Sequence, residues 1–186
     1  MSDLTPFQTV GPFFSMALPF EGGETLAGDA TLGRRITIEG RLTDGAATPM
    51  PDALIEVWQA NAAGKYRHSD DRQDRAVDPA FEGFGRAPTD EDGRFAFHTI
   101  MPGVVPGPEG RVQAPHVLIG ILARGVLTRF VTRVYFPDEP ANALDPILAQ
   151  VPAERRPTLI AAATGENRYR FDIRIQGDRE TVFFDV

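Results

Sequence analysis

The chain has 186 residues, of which 42% are hydrophobic and 24% are charged, as is typical of a globular domain. Its formal net charge of −7 argues against nucleic acid and against an anionic membrane surface as partners. It contains no cysteine, which excludes disulfides and thiolate metal sites, and no apolar run reaches the roughly 18–20 residues of a membrane span.

Residues 1–33 are rich in both turn-forming and aromatic side chains. Proline and glycine interrupt any regular element, yet the four phenylalanines make the segment too apolar for a disordered tail (Phe7, Phe13, Phe14, Phe20). We therefore predict an extended arm that packs on the body of the protein or on a partner. Its first residues lack the basic region and apolar stretch of a signal peptide, so we expect a cytoplasmic location.

Residues 34–186 carry strand signals in series and are predicted to form the body of a single domain, 1–186. Strands are predicted at 36–43, 53–60, 93–99, 117–123, 127–136, 168–175 and 180–185. Two helical stretches are predicted at 142–150 and 153–163. The pattern indicates an all-β fold, a β-sandwich of mixed topology with an extended N-terminal arm, long loops and one or two short helices.

His116 begins a predicted buried strand, and the residue two positions later is Leu118. Side chains at i and i+2 of a strand point to the same face, so a histidine pair there would aim two imidazoles at one metal. Leucine offers no lone pair. By itself, a buried histidine is more often a hydrogen-bonded structural residue than a ligand. His98 is predicted to point outward from its strand and to be structural.

The long polar loop at 62–88 contains Tyr66 and His68. The phenolate of Tyr66 is a hard anionic oxygen that suits a ferric ion, although a packed loop aromatic is the alternative. His68 is expected to be an exposed surface side chain, and a facial triad of two histidines and a carboxylate stays open. An acidic run lacks the EF-hand spacing and is interpreted as solvated loop (Asp70, Asp71, Asp74, Asp78).

Arg129 and Arg133 share one face of the predicted strand 127–136. Buried charges need partners, so ion pairs with an acid such as Glu56 or Asp172 are one interpretation. The other is capture of a carboxylate, for which arginine supplies a bidentate fork.

Taken together, several motifs resemble the intradiol ring-cleavage dioxygenases over nearly the whole chain. They are Leu54–Asn61, Gly64–His68, Phe84–Arg86, Thr89–Gly93, Pro102–Gly103 and Ala114–His116. Residues 5–14 and 169–185 resemble the α subunit of the heteromeric members of that family, which pairs with a catalytic β subunit around a pseudo-two-fold axis.

The resemblance implies a site in which two tyrosines and two histidines hold a ferric ion that chelates a catechol for attack by oxygen. It places the first tyrosine on Tyr66 and the first histidine on His116. The second tyrosine falls on Val105 and the second histidine on Leu118, neither of which donates to a metal. The resemblance therefore implies that this chain binds no metal and has no catalytic residue of its own.

Two further positions of the catalytic subunit differ in this chain. The arginine that precedes its histidine pair falls on Gln113, and the glutamine of the following strand falls on Arg133. The resemblance assigns Fe(III) to a β-subunit partner, with the aromatic substrate and O2 at the α/β cleft. This chain would contribute cleft residues from its arm and one cation with a structural or carboxylate-steering role (Thr9, Gly11, Pro12, Phe13, Arg133).

Two other functions stay open. One is a stand-alone binding module of the transthyretin-like sandwich type, which would leave the aromatic arm unexplained. The other is an independent iron enzyme that uses Tyr66, His116 and His68 together with a carboxylate, which requires activity without a partner.

Overall fold

The computed structural model describes residue 11 and residues 13–185, and within them the predicted all-β sandwich is confirmed. Its strands are β1 (Arg35–Thr43), β2 (Leu54–Trp58), β3 (Phe84–Pro88), β4 (Arg94–Ile100), β5 (Val105–Pro106), β6 (Val112–Gln113), β7 (His116–Leu122), β8 (Phe130–Tyr135), β9 (Ala162–Gly165), β10 (Arg168–Arg170) and β11 (Ile173–Arg174). One α-helix, α1 (Phe14–Ala17), lies in the arm.

The first sheet has mixed topology, as predicted. Strand β1 pairs antiparallel with β4 along one edge. Along its other edge it pairs in parallel with β10 and then with β11. Strand β9 lies outside β10. The second sheet is antiparallel throughout, in the order β3-β2-β7-β8, and β5 and β6 form a separate hairpin.

The predicted strand 168–175 is divided into β10 and β11 because the chain approaches Gly40 closely at Phe171. The backbone N–H of Phe171 donates to the carbonyl of Glu39 at 2.8 Å. A Cβ atom on Gly40 would overlap the carbonyl of Phe171, so only glycine permits this crossing. The predicted alternation nevertheless holds, since Tyr169, Phe171 and Ile173 are all buried.

The core lies between the two sheets and is built from the alternate residues of each strand that face inward. The second sheet supplies its β-branched side chains from β2 and β7, and the first sheet adds aromatic rings (Ile55, Val57, Val117, Ile119, Ile121, Phe95, Phe97, Tyr169, Phe171). A smaller buried cluster lies beside β8 and contains Tyr135, Leu148, Val151 and Leu159.

The two stretches predicted to be helical form short 3-10 turns instead, at Pro140–Leu144, Leu148–Gln150 and Arg156–Leu159. Prolines 140, 146, 152 and 157 explain this, because each removes a backbone donor that a longer helix needs. No helix in the described residues is long and apolar enough to cross a membrane.

The segment predicted as a last strand, 180–185, does not join a sheet. Its backbone hydrogen bonds are divided between two elements, because Thr181 donates to Arg174 and Phe184 donates to Val131. Val182 accepts from the hydroxyl of Thr132 at 2.7 Å. The segment thus lies along the free edge of β8 without forming a continuous ladder.

The described part of the arm packs on the body and joins the two sheets at one edge of the sandwich. Leu26 is buried and donates to the carbonyl of His98 on β4, and His98 donates to Glu24, each at 2.8 Å. Arg86 on β3 donates to the carbonyl of Gly23 at 2.8 Å. The arm therefore fills the gap between β4 of the first sheet and β3 of the second.

Candidate functional site

The residues that the sequence singled out lie on the outer face of the second sheet. Residues that pair directly on neighbouring strands point to the same face. The register therefore aligns Phe84, Trp58, Leu118 and Arg133 in one row across the four strands. His116 and Tyr135 pair one step further along, with ring centroids 5.8 Å apart.

Tyr66 stacks on Trp58, with ring centroids 6.0 Å apart and planes at 9°. Its backbone N–H donates to Asp71 at 2.8 Å, and the buried Lys65 ammonium donates to the same carboxylate at 3.2 Å. Burial alone would raise the pKa of Asp71, but these bonds and those from Gln73 outweigh it and lower the pKa. The loop around Tyr66 is thus fixed by a buried, charge-paired network, and it lines a cavity of about 730 Å³.

His116 is held in one tautomer. Its Nδ1 atom lies 2.7 Å from the carbonyl oxygen of Ala114, which only accepts hydrogen bonds, so Nδ1 carries the proton and Nε2 keeps a lone pair. Burial, together with the nearby Arg133 cation, lowers the pKa of His116 to about 4. Metal-binding histidines commonly donate their second N–H to a carbonyl in this way. His116 therefore has the hydrogen bond that orients a metal-binding histidine, but no group of further donor side chains lies around it in the described residues.

A buried carboxylate that the sequence did not single out, Asp145, fixes the segment before His116. It accepts hydrogen bonds from the backbone N–H of Ala114 at 2.7 Å and of Leu148 at 2.7 Å, and from the hydroxyl of Tyr135 at 3.2 Å. An Asp directly before a proline and a turn is the only sequence signal for such a role.

The other half of the predicted metal site is apolar. Val105 is buried on the β5-β6 hairpin, and Leu118 lies between Trp58 and Arg133. No group of three or more His, Asp or Glu side chains in the described residues is placed to hold a metal. Two donors beside two hydrocarbon side chains and a fixed cation do not suit a ferric ion, so the residues of this pocket do not fit the metal.

Arg133 and Gln113 are directly bonded, with Arg133 Nη1 2.6 Å from Gln113 Oε1. These are the two positions at which the resemblance aligns an arginine and a glutamine of the catalytic subunit, so this chain carries the two residue types in reverse order. The guanidinium of Arg133 also lies over the ring of Phe184, with 5.8 Å between Cζ and the ring centroid. The guanidinium of Arg133 forms no salt bridge with Glu56 or Asp172, which pair with other arginines.

Arg129 makes an ion pair with Glu56, which was one of the two interpretations of this cation. The buried Glu56 carboxylate accepts from Arg129 at 3.0 Å and from Arg86 at 2.7 Å. The guanidinium of Arg129 lies directly over Gly120. A Cβ atom at position 120 would overlap the guanidinium and displace it. Arg129 precedes β8, which begins at Phe130 instead of at the predicted Leu127.

The remaining predicted residues are dispersed. His68 is exposed and meets the edge of Trp58, with ring centroids 6.2 Å apart, and it does not join His116 and a carboxylate in a group. His98 points outward and lies 3.3 Å from the hydroxyl of Thr37. In the arm, Gly11 and Phe13 are exposed, whereas Thr9 and Pro12 lie outside the described residues. The independent iron site is therefore not assembled in the described part of the chain.

Known proteins resemble this chain over most of its length. The Dioxygenase family profile matches residues 9–177. The protocatechuate 3,4-dioxygenase alpha chain of Burkholderia cepacia is 40% identical over 98% of this chain and 97% of the relative. The protocatechuate 3,4-dioxygenase beta chain of the same organism is 41% identical over 78% of this chain and 66% of the relative. The solved dioxygenase domain of a carbohydrate-binding fusion from Streptomyces superposes with a TM-score of 0.61 at 26% identity, covering 95% of this chain and all of that domain.

Proposed function

The chain belongs to the intradiol dioxygenase family, and we propose that it is the alpha chain of a heteromeric protocatechuate 3,4-dioxygenase. The assembly is an oxidoreductase that cleaves protocatechuate with O2 between its two hydroxyls to give 3-carboxy-cis,cis-muconate. The observation that carries the proposal is the full-length similarity to alpha chains combined with a pocket in which Val105 and Leu118 replace two metal ligands. A stand-alone binding module would not account for this combination.

The proposal assigns metal binding and catalysis to one chain and the shape of the substrate cleft to the other. The beta-chain partner holds Fe(III) and performs the ring cleavage, with protocatechuate and O2 bound at the α/β cleft. This chain shapes that cleft and the assembly, and alone it neither binds the metal nor cleaves the substrate. The exchange of two donors for hydrocarbon side chains supports this division, because valine and leucine exclude a metal by filling its place.

The arm is the proposed contribution to the partner's cleft, through Thr9, Gly11, Pro12 and Phe13. The exposure of Phe13, at 68%, supports this, because a large aromatic side chain left outside the core is available to a partner. Its neighbour Phe14 is buried and anchors the arm to this chain. We treat 1–186 as one domain, with 1–33 as the arm and 34–186 as the body.

The test is reconstitution from separately produced chains. Oxygen uptake with protocatechuate and bound iron are measured for this chain, for a beta chain and for their mixture. We expect activity and tyrosinate-coloured iron only in samples that contain the beta chain. A mixture in which residues 1–13 are deleted from this chain should keep its iron but lose substrate affinity.

Two outcomes would contradict the proposal. Stoichiometric iron with the tyrosinate absorption in this chain alone would show an independent iron enzyme. A chain that stays monomeric beside the beta chain, at concentrations well above those used in the assay, would favour a separate binding module.

A further inference from the structure

The arm is held against β3 by contacts with three consecutive residues of that strand. Phe20 stacks on Phe84, with ring centroids 6.5 Å apart and planes at 20°. The backbone N–H of Arg86 donates to the carbonyl of Gly23 at 2.8 Å. A Cβ atom on Gly23 would stand 2.5 Å from the carbonyl oxygen of Arg86, and one on Gly85 would stand 2.5 Å from that of Gly23. The close approach of the arm to β3 therefore depends on glycine at both positions.

The side chain of Arg86 links the arm to a buried carboxylate. Arg86 pairs directly with Glu56 on β2, and both side chains lie on the outer face of the second sheet. Its Nε donates to Glu56 at 2.7 Å, and its Nη1 donates to the carbonyl of Leu18 in the arm at 3.3 Å. The same guanidinium lies over the ring of Phe84, with 5.1 Å between Cζ and the ring centroid. An arginine that an ion pair and a ring both fix is a rigid donor to the arm.

Helix α1 connects the carbonyl that Arg86 holds to the exposed Phe13. Leu18 directly follows α1, and its N–H donates to the carbonyl of Phe14 at 3.0 Å. The N–H of Ala17 donates to the carbonyl of Phe13 at 3.0 Å. One hydrogen-bonded turn thus joins Phe13 to Leu18, so a displacement of Leu18 from Arg86 also moves Phe13.

Arg129 contacts the same carboxylate but does not hold the arm. It donates to the second oxygen of Glu56 at 3.0 Å and lies over Gly120. Of the two cations on Glu56, Arg86 alone bonds to the described part of the arm. The two arginines therefore form a matched pair, since each neutralises Glu56 and one of them also fixes the arm.

We propose that Arg86 is a positioning residue for substrate binding, which holds the arm where Phe13 and its neighbours enter the partner's cleft. The inference rests on the role proposed above for the arm. Arg86 acts through the arm and not on the reacting atoms, so it affects the affinity for protocatechuate and not the chemical step in the partner. An arm released from Arg86 must be ordered before it can contribute to the cleft, and that ordering weakens substrate binding.

The test is steady-state kinetics of the heteromer reconstituted from full chains, with protocatechuate as substrate. Arg86→Gln removes the charge-assisted bond to the arm, so we expect KM to rise at least about fivefold and kcat to stay within about twofold. Arg129→Gln breaks the other ion pair of the same carboxylate and should change KM by less than about twofold. Bound iron should be equal in all samples.

A second pair of variants displaces the arm without changing any charge, which covers the case in which Arg86→Gln fails to fold. Gly23→Ala places a Cβ atom against the carbonyl of Arg86 and should raise KM to a similar extent. Gly28→Ala, where a Cβ atom meets nothing within 4 Å, should leave KM unchanged. Amide hydrogen exchange of the full chain gives a readout without catalysis, because only Arg86→Gln and Gly23→Ala should speed exchange in residues 14–23.

Deletion of residues 1–13 separates this inference from the role of the arm itself. The deletion should raise KM, and Arg86→Gln should add nothing further in the shortened chain, because both changes act through the arm. The inference is overturned if Arg86→Gln and Arg129→Gln raise KM equally, or if the effects of Arg86→Gln and of the deletion add. An unchanged KM for Arg86→Gln beside a raised KM for the deletion would overturn the inference alone. An unchanged KM for the deletion would overturn the proposed role of the arm and this inference with it.

Discussion

The pocket on the second sheet has two halves whose side chains are held in different ways. Tyr66 and His116 are fixed by buried polar groups, through Asp71 on one side and through Asp145 on the other. Val105 and Leu118 in the other half only pack against their neighbours. The two donor side chains are thus held by buried hydrogen-bond networks, whereas the two apolar side chains are held by packing alone, so we expect the two halves to respond differently to substitution.

The strongest test of this comparison is removal of Asp145. Asp145→Ala leaves the backbone N–H groups of Ala114 and Leu148 and the Tyr135 hydroxyl without their acceptor. Because each buried unsatisfied donor costs about 1–3 kcal/mol, we expect the free energy of unfolding to fall by about 3–5 kcal/mol. Urea denaturation of the full chain measures this value.

The control for this variant is Asp138→Ala, an exposed carboxylate seven residues earlier. Its effect should stay within about 0.5 kcal/mol, as for most surface substitutions. Equal effects of the two substitutions would show that the support of His116 contributes little to the fold.

The second test is the pH dependence of stability. His116 has a folded-state pKa of about 4, lowered by burial and by Arg133, against about 6.5 in the unfolded chain. Between these values the unfolded chain binds one more proton, so stability is fully present above pH 6.5 and is lost as the pH falls toward 4. The expected slope from this residue is about 1.4 kcal/mol per pH unit.

His116→Gln isolates this contribution. Glutamine keeps an N–H donor for the carbonyl of Ala114 but does not titrate. Denaturation midpoints of the two proteins across pH 4 to 7 should therefore converge at low pH and diverge by the stated slope above it. Parallel curves would mean that His116 titrates with an ordinary pKa and is less buried than the structure indicates.

The alternating strands could be predicted from sequence because burial on one face imposes a period of two, and Ile36, Ile38 and Leu42 on β1 follow it. The division at Phe171 could not, since it depends on how closely two distant segments approach at Gly40. The 3-10 turns differ from the predicted helices because four prolines in this region remove the backbone donors that a continuous helix needs.

The site was predicted unevenly for a similar reason. The family resemblance selected Tyr66 and His116 by residue-by-residue alignment, and their identity as former ligand positions stays a prediction. The hydrogen bond between Arg133 and Gln113 joins residues 20 positions apart, and the hydrogen bond between Asp145 and Ala114 joins residues 31 positions apart. Such contacts have no local signature and follow only from the strand register.

The smallest expected effect belongs to the apolar half of the pocket. Leu118 is half-buried on the outer face, whereas its neighbour Ile119 points into the core and is fully buried. Leu118→Ala should therefore cost about 1 kcal/mol, in proportion to the apolar area it removes, and Ile119→Ala about 2–5 kcal/mol. Thermal and urea unfolding of both variants measure the difference under identical conditions. If Leu118→Ala were as costly as Ile119→Ala, this half of the pocket would be part of the core, and the two halves would be held equally firmly.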